Sequence, residues 1–308
     1  MNPHNSVSKP SVTMAAFEMA EAEVTEVLQS EGSAGQVPPE YGVSAKRLLV
    51  RGKGDLEKPT RSSLSIVNPS VLTPESVIGT DDRIRVLDPE TMPWRMICSL
   101  EISGRTGKGI GTGWFVGPKT IITAGHCVYH PNFGGWANEI KIYPGRYGTN
   151  FPFPQKPDFQ KPIVSSKFDS VEGWVNDLNT DFDYGVIHLG EPVGNEIGWF
   201  SIAVKDDAAL ADLLVNISGY PADRDFGRYQ YFAASKIAEA RPTRFFYSAD
   251  TYGGQSGAPV WFQDQGDKPV VIGIHSYGVG NFTLNSATRI NADVFQAIKG
   301  WIDADNQI

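Results

Sequence analysis

The sequence predicts an all-β protein, a sandwich or barrel of short strands closed by one helix at the C-terminus and preceded by a leader outside the core. Three observations predict it. Short apolar runs rich in Val, Ile, Tyr, Phe and Trp recur after Pro74, with Gly, Pro and Asn between them about every ten residues. No alternation of strand-like with helix-like patterns accompanies them, so βα units are not indicated. All seven Trp and both Cys lie beyond residue 75, which puts the apolar core there.

Taken in order, residues 1–75 hold few aromatic residues, Phe17 and Tyr41. Within them Met14 to Gln29 is rich in Ala and Glu and spaces Phe17, Val24, Val27 and Leu28 for a short amphipathic helix. A Ser-, Pro- and Gly-rich stretch follows to residue 75. The whole leader reads as a pro-segment or tail, with a disordered regulatory arm as the alternative. The expected strands are Met96 to Ile102, Gly113 to Val116, Ile140 to Tyr143, Tyr184 to Leu189, Leu213 to Tyr220, Phe245 to Ala249, Pro259 to Phe262 and Val270 to His275. At the end, Asn291 can cap a helix whose Val294, Ile298, Trp301 and Ile302 share one face.

Composition excludes several classes of function. With 41% hydrophobic and 20% charged residues among 308, the chain is not disordered throughout. Lys plus Arg number 27 against 35 Asp plus Glu, a net charge of -8 that advertises no nucleic acid or anionic membrane as partner. No run approaches the roughly 18 apolar residues of a membrane-spanning helix. Two cysteines, Cys98 and Cys127, form at most one disulfide and no four-cysteine zinc site. The first thirty residues lack the basic start and apolar stretch of a secretory signal, since Met14 to Phe17 is followed at once by Glu18.

Three segments carry the chemistry. Thr-Ala-Gly-His-Cys-Val at 123–128 follows an apolar run, Thr120 to Thr123, that would hold His126 at a strand end or short helical turn. Thr-Asp-Phe-Asp-Tyr-Gly-Val-Ile at 180–187 sets Asp183 just before another apolar run. Gly-Gly-Gln-Ser-Gly-Ala-Pro at 253–259 offers Ser256 in a turn where glycines let the backbone approach a substrate. A serine hydroxyl is a weak nucleophile and needs a base. Histidine supplies one, and a carboxylate on its other ring nitrogen sets the tautomer and stabilises the imidazolium. The glycines are explained if the N–H groups of Gly254 and Ser256 form an oxyanion hole. Asp177 and Asp181 compete with Asp183, and only the apolar run directly after Asp183 decides for it.

With these motifs the chain resembles the chymotrypsin-fold serine endopeptidases, and within them the glutamyl endopeptidases of the staphylococcal V8 and Bacillus type. The matches are Thr-Ala-Gly-His-Cys at 123–127, Asp-Tyr-Gly-Val-Ile at 183–187, Asp-Thr-Tyr-Gly-Gly-Gln-Ser-Gly at 250–257 and Gly-Ile-His at 273–275. They run in the order His, Asp, Ser and cover the chain from Ser76 to the C-terminal helix. The resemblance implies a double β-barrel over residues 76–308, with His126 and Asp183 from the first barrel and Ser256 from the second. It implies hydrolysis of protein or peptide substrates after Glu, with Asp weaker, through an acyl-enzyme. His275 and the Thr251 hydroxyl would receive the substrate carboxylate. It further implies a secreted enzyme, whose signal this sequence does not hold, acting as a monomer without cofactor or metal.

The junction Thr-Pro-Glu-Ser-Val-Ile-Gly at 73–79 is similar to the mature start of the Bacillus enzymes. Cleavage between Glu75 and Ser76 would then activate a zymogen, leave residues 1–75 dispensable, and free the α-amino group of Ser76 to dock beside the substrate carboxylate. One departure stands out. Many relatives pair the cysteine after the histidine with one at the position held here by Gly111, whereas Cys98 lies 13 residues further upstream and could bridge only with another geometry.

Other readings fit less well. Zinc has no second ligand at suitable spacing around His126 and no His-Glu-x-x-His. A nucleophile elbow requires glycine where Ala258 stands, and the chain order Ser, Asp, His. A carbohydrate-binding β-domain would cluster its tryptophans, and here they are dispersed. An inactive protease-fold binding module remains the alternative, although such proteins usually lack a residue that this chain keeps. His4, His130 and His188 read as surface residues.

Overall fold

The computed structural model describes residues 2–10, 42–43, 72–73, 75–153, 161–264, 268–279 and 283–307. The helix expected over Met14–Gln29 and most of the stretch after it lie outside these residues. Two barrel-like sheets and one long helix make up the rest, and each of the eight expected apolar runs forms a strand.

The first sheet contains β1 (Ser6–Ser8), β2 (Ile97–Ser103), β3 (Lys108–Phe115), β4 (Thr120–Thr123), β5 (Glu139–Pro144), β6 (Ile163–Ser165), β7 (Lys167–Val171) and β8 (Gly185–His188), hydrogen-bonded in the order β1-β7-β8-β4-β3-β2-β5-β6. The second contains β9 (Leu214–Gly219), β10 (Tyr231–Ala240), β11 (Arg244–Tyr247), β12 (Pro259–Gln263), β13 (Pro269–Val279) and β14 (Asn285–Arg289) in the order β9-β12-β13-β14-β11-β10. Pairing of β9 with β10 closes it. Nearly continuous burial along β2, β4 and β9 explains why these strands read as apolar runs rather than as alternating patterns.

The C-terminal helix, Ala292–Asn306, begins where Asn291 accepts a bond from the Val294 amide at 3.0 Å, and it buries Val294, Ile298 and Trp301. An aromatic seam joins the barrels. Trp114 of β3 meets Phe200, Phe200 meets Trp261 of β12, and Trp261 meets Trp94, with ring centroids 5.9 to 6.1 Å apart. Three of the seven tryptophans, dispersed in sequence, are thus gathered by the packing of one barrel on the other, each fully buried.

The leader does not stand apart from the barrels at its own start. Residues 6–8 add β1 to the outer edge of β7. Near its end, Leu72–Thr73 pairs antiparallel with Gly278–Val279 of β13. His188 is not a free surface residue either. It lies between Asp305 of the C-terminal helix at 2.8 Å and Asp169 of β7 at 3.4 Å. Cys98 and Cys127 are both buried and unbridged.

Candidate active site

Strand β4 ends at Thr123, and a four-residue helix, Gly125–Val128, follows and carries His126. Asp183 lies two residues before β8, the neighbour of β4 in the sheet, so the barrel itself sets the two side chains together. The Asp183 carboxylate accepts from the His126 ring nitrogen Nδ1 at 2.7 Å and from the His126 amide at 2.8 Å. Asp177 and Asp181 do not take this place. Burial alone would raise the Asp183 pKa, yet the facing imidazole holds it below the ordinary carboxylate range. Burial would likewise lower the His126 pKa, and the Asp183 charge holds it well above the usual imidazole value.

Ser256 comes from the second barrel, in the turn before β12. Thr112 of β3 holds that turn against the first barrel. Its amide donates to the Ser256 carbonyl at 2.9 Å, and its hydroxyl donates to the Gly254 carbonyl at 2.8 Å. The approach is too close for any side chain at Gly257, which has φ +88° and whose Cβ would overlap the Thr112 carbonyl and the Thr123 hydroxyl. Gly254 has φ +100°, and a Cβ there would lie 2.7 Å from the Tyr220 carbonyl. Among the described residues, neither the Gly254 nor the Ser256 amide has a backbone partner. Two free N–H groups beside a serine can stabilise a developing oxyanion.

Behind Ser256 lies a buried pocket with unsatisfied donors. His275 and Thr251 are fully buried, and among the described residues neither His275 Nε2 nor Thr251 Oγ1 has a hydrogen-bond partner. The Tyr247 hydroxyl meets the other ring nitrogen of His275, Nδ1, at 2.5 Å. If the tyrosine donates, the ring proton lies on Nε2, facing the pocket. Burial, helped by the Arg244 charge, pushes the His275 pKa down to about 3, so the ring is neutral.

The comparisons bear on this arrangement. Residues 87–302 match the Trypsin family model, more than half of the chain. The chain belongs to the trypsin family. Glutamyl endopeptidase of Bacillus licheniformis is 36% identical over 269 residues, covering 85% of this chain and 80% of that protein. A Bacillus subtilis protein named extracellular metalloprotease is 32% identical, covering 97% of this chain and 88% of its own. A solved Glu endopeptidase in complex with MPD superposes with a TM-score of 0.64 at 26% identity, covering 74% of this chain and 99% of that one. The protein is a trypsin-like serine endopeptidase close to the glutamyl endopeptidases, and its substrates are proteins or peptides.

Within this trypsin-family site, the sequence missed the occupant of the pocket. The Ser256 hydroxyl donates to Glu75 Oε1, and that oxygen lies 3.9 Å from His275 Nε2. Glu75 and Ser76 are both buried. Ser76 is pinned by Asn285, which accepts from its amide at 3.0 Å and donates to its carbonyl at 2.7 Å, while the Thr251 amide donates to the same carbonyl at 3.2 Å. Asp250 secures the next turn by accepting from the Ile78 and Asp82 amides. Asn285, Tyr247, Thr112 and Arg244 carried no motif, so no signal along the chain could have found them. Arg244 of β11 donates to the Thr180 carbonyl at 2.5 Å and to Ser276 and Ser286, tying the turn before Asp183 to the second barrel.

Proposed function

We propose that this serine endopeptidase hydrolyses bonds after glutamate, with aspartate a poor second, and that it is made as a zymogen activated between Glu75 and Ser76. The observation that carries this is the Glu75 side chain itself. A glutamate of the chain fills the pocket between Ser256 and the unpartnered donors of His275 and Thr251.

In the proposed mechanism Ser256 Oγ attacks the carbonyl carbon of the substrate glutamate, and His126 Nε2 takes the hydroxyl proton. The N–H groups of Gly254 and Ser256 receive the oxyanion, each donor worth about 3 to 4 kcal/mol. His126 then gives its proton to the leaving amine as the C–N bond breaks, which leaves an acyl ester on Ser256. A water attacks that ester, loses a proton to His126 and releases the acid, and the proton returns to Ser256. Asp183 orients His126 and stabilises its charged form throughout. A buried carboxylate must exchange its hydration for donors, and His275 Nε2 and Thr251 Oγ1 are the donors available to it. An aspartate is one methylene shorter, which corresponds to discrimination of about 10 to 200-fold.

Activation in this scheme unplugs a formed site rather than building one. Ser76 already sits against Asn285 and Thr251 in the uncut chain, so cleavage turns its bonded amide into an ammonium at the same place and adds positive charge to the pocket. Secretion is supported by the Bacillus subtilis relative, which is named as extracellular. One copy of the chain supplies every group invoked, which supports a monomeric enzyme. Mass spectrometry of a denatured model protein digested by the processed enzyme tests the specificity: new C-termini should be overwhelmingly Glu, and a set dominated by Lys, Arg or aromatic residues would overturn it.

A further inference from the structure

The first residues of the leader, Asn-Pro-His-Asn-Ser-Val-Ser-Lys-Pro at 2–10, hold too few apolar groups to fold alone, yet they are bound along three separate segments of the body. Ser6, Val7 and Ser8 pair antiparallel with Val171, Ser170 and Asp169. The ladder continues past the strand at both ends. Lys9 donates its amide to the Phe168 carbonyl, and the amides of Glu172 and Gly173 donate to the carbonyls of Asn5 and Pro3, all at 2.9 Å. Side chains add to it. The Ser6 hydroxyl accepts from the Trp301 indole at 2.9 Å, and the His4 ring meets the Tyr184 hydroxyl at 2.8 Å and packs edge-on against Phe182. The second segment therefore flanks Asp183 on both sides, and the third is the C-terminal helix.

We infer that the outer edge of β7, with the turn after it and the face of the C-terminal helix around Trp301, is a docking surface for residues 2–10, and that this arm stays bound once its covalent link to the body is cut. An edge strand leaves a row of N–H and C=O groups unpaired, and strand addition by a short extended segment satisfies them. Among the described residues, none of the arm's bonds involves Leu72, Thr73, Glu75, Ser76 or the pocket. The inference goes beyond the proposed activation and holds for a cut at any point of the link.

The test uses the full chain carrying Ser256→Ala, with the recognition sequence of an unrelated site-specific protease inserted between residues 11 and 41. After complete cutting and gel filtration, the N-terminal fragment should elute with the body in equal amounts by intact mass. Val7→Pro removes the donor of the pair Val7 and Ser170, which alternation along the ladder makes the hydrogen-bonded one. In that variant the fragment should elute separately. Hydrogen exchange on the cut protein without Val7→Pro gives a readout that needs no change in the arm: the Glu172 and Gly173 amides should stay protected. A fragment that separates from a folded body, a Val7→Pro fragment retained as well as the original, or rapid exchange at both amides would each overturn the docking surface. The added protease makes the cut and no activity is read, so the result does not depend on the specificity proposed above.

Discussion

At Asp183 burial and partnership pull in opposite directions, and the partner wins: two bonds from one histidine, ring and amide, keep the carboxylate ionised inside the protein. The proposed nucleophile depends on that arrangement. Ser256→Ala should abolish all but a few percent of peptide hydrolysis in the processed enzyme while circular dichroism stays unchanged. The double variant with His126→Ala should be hardly slower than either single one, since groups that act as a unit are lost as a unit. Residual turnover above that level in Ser256→Ala would mean another nucleophile. The same scale decides specificity. The Tyr247 hydroxyl meets His275 Nδ1 and so bears on which face of the ring carries the proton. Tyr247→Phe should lower kcat/KM on Glu substrates about tenfold, the effect of roughly 1.4 kcal/mol, and leave the rate of labelling by a small serine reagent unchanged. Equal losses in both assays would show that the tyrosine merely supports the fold.

Between elements, two contacts make measurable claims. A Cβ at Gly111 on β3 would lie 2.8 Å from Cys127 Sγ, and Gly111 has no positive φ that would resist a side chain. Gly111→Cys should therefore oxidise to a bridge with Cys127 and leave Cys98 as the one titratable thiol under denaturing conditions. A loop of this length is worth about 3 kcal/mol in the chain-entropy picture, which a higher Tm would register. Two or more free thiols after oxidation would place the strands differently. The second contact is His188, which joins β7 to the C-terminal helix through Asp169 and Asp305. Burial disfavours its charge, but the two carboxylates raise its pKa to about 9. A raised folded-state value stabilises the protein fully below the unfolded pKa near 6.5, and this contribution is lost as pH rises through about 9. The unfolding free energy from denaturant titrations should fall across that window by an amount of order 3 kcal/mol, and His188→Gln should flatten the profile there. An unchanged slope in the variant would assign the pH dependence elsewhere.

Across the whole molecule, the leader is held at both ends, by β1 on the first barrel and by residues 72–73 and 75–76 across the second. The atom that meets Ser256 is the Glu75 side-chain oxygen, not the carbonyl of the bond to be cut. A molecule in this state blocks its own serine, and its buried Glu75–Ser76 junction must leave the body before another copy can cut it. Activation of the purified 308-residue form should accordingly be second order, its half-time halving when concentration doubles, and Glu75→Gln should stay full length and weakly active. A half-time independent of concentration would make the cut intramolecular, and full activity in uncut Glu75→Gln would end the zymogen scheme.

The sequence by itself determined what depends on neighbours along the chain. Strand-forming runs, the Asn291 cap and the glycines around Ser256 follow from local conformational preference, and the family resemblance that the motifs carry implied a double barrel. Which carboxylate meets His126 was legible too, because the apolar run after Asp183 is the strand that pairs with β4. Tertiary structure alone decided the rest. The Trp114–Phe200–Trp261 seam, Asn285 under Ser76, Tyr247 behind His275, the two carboxylates on His188 and the strand that His4 anchors each join residues far apart in the chain. Such contacts exist only once each barrel has closed and the two have packed together. That closure also turned Glu75 from the expected junction residue into the plug of the pocket, because a side chain leaves no mark in the sequence of where a distant strand will bring it.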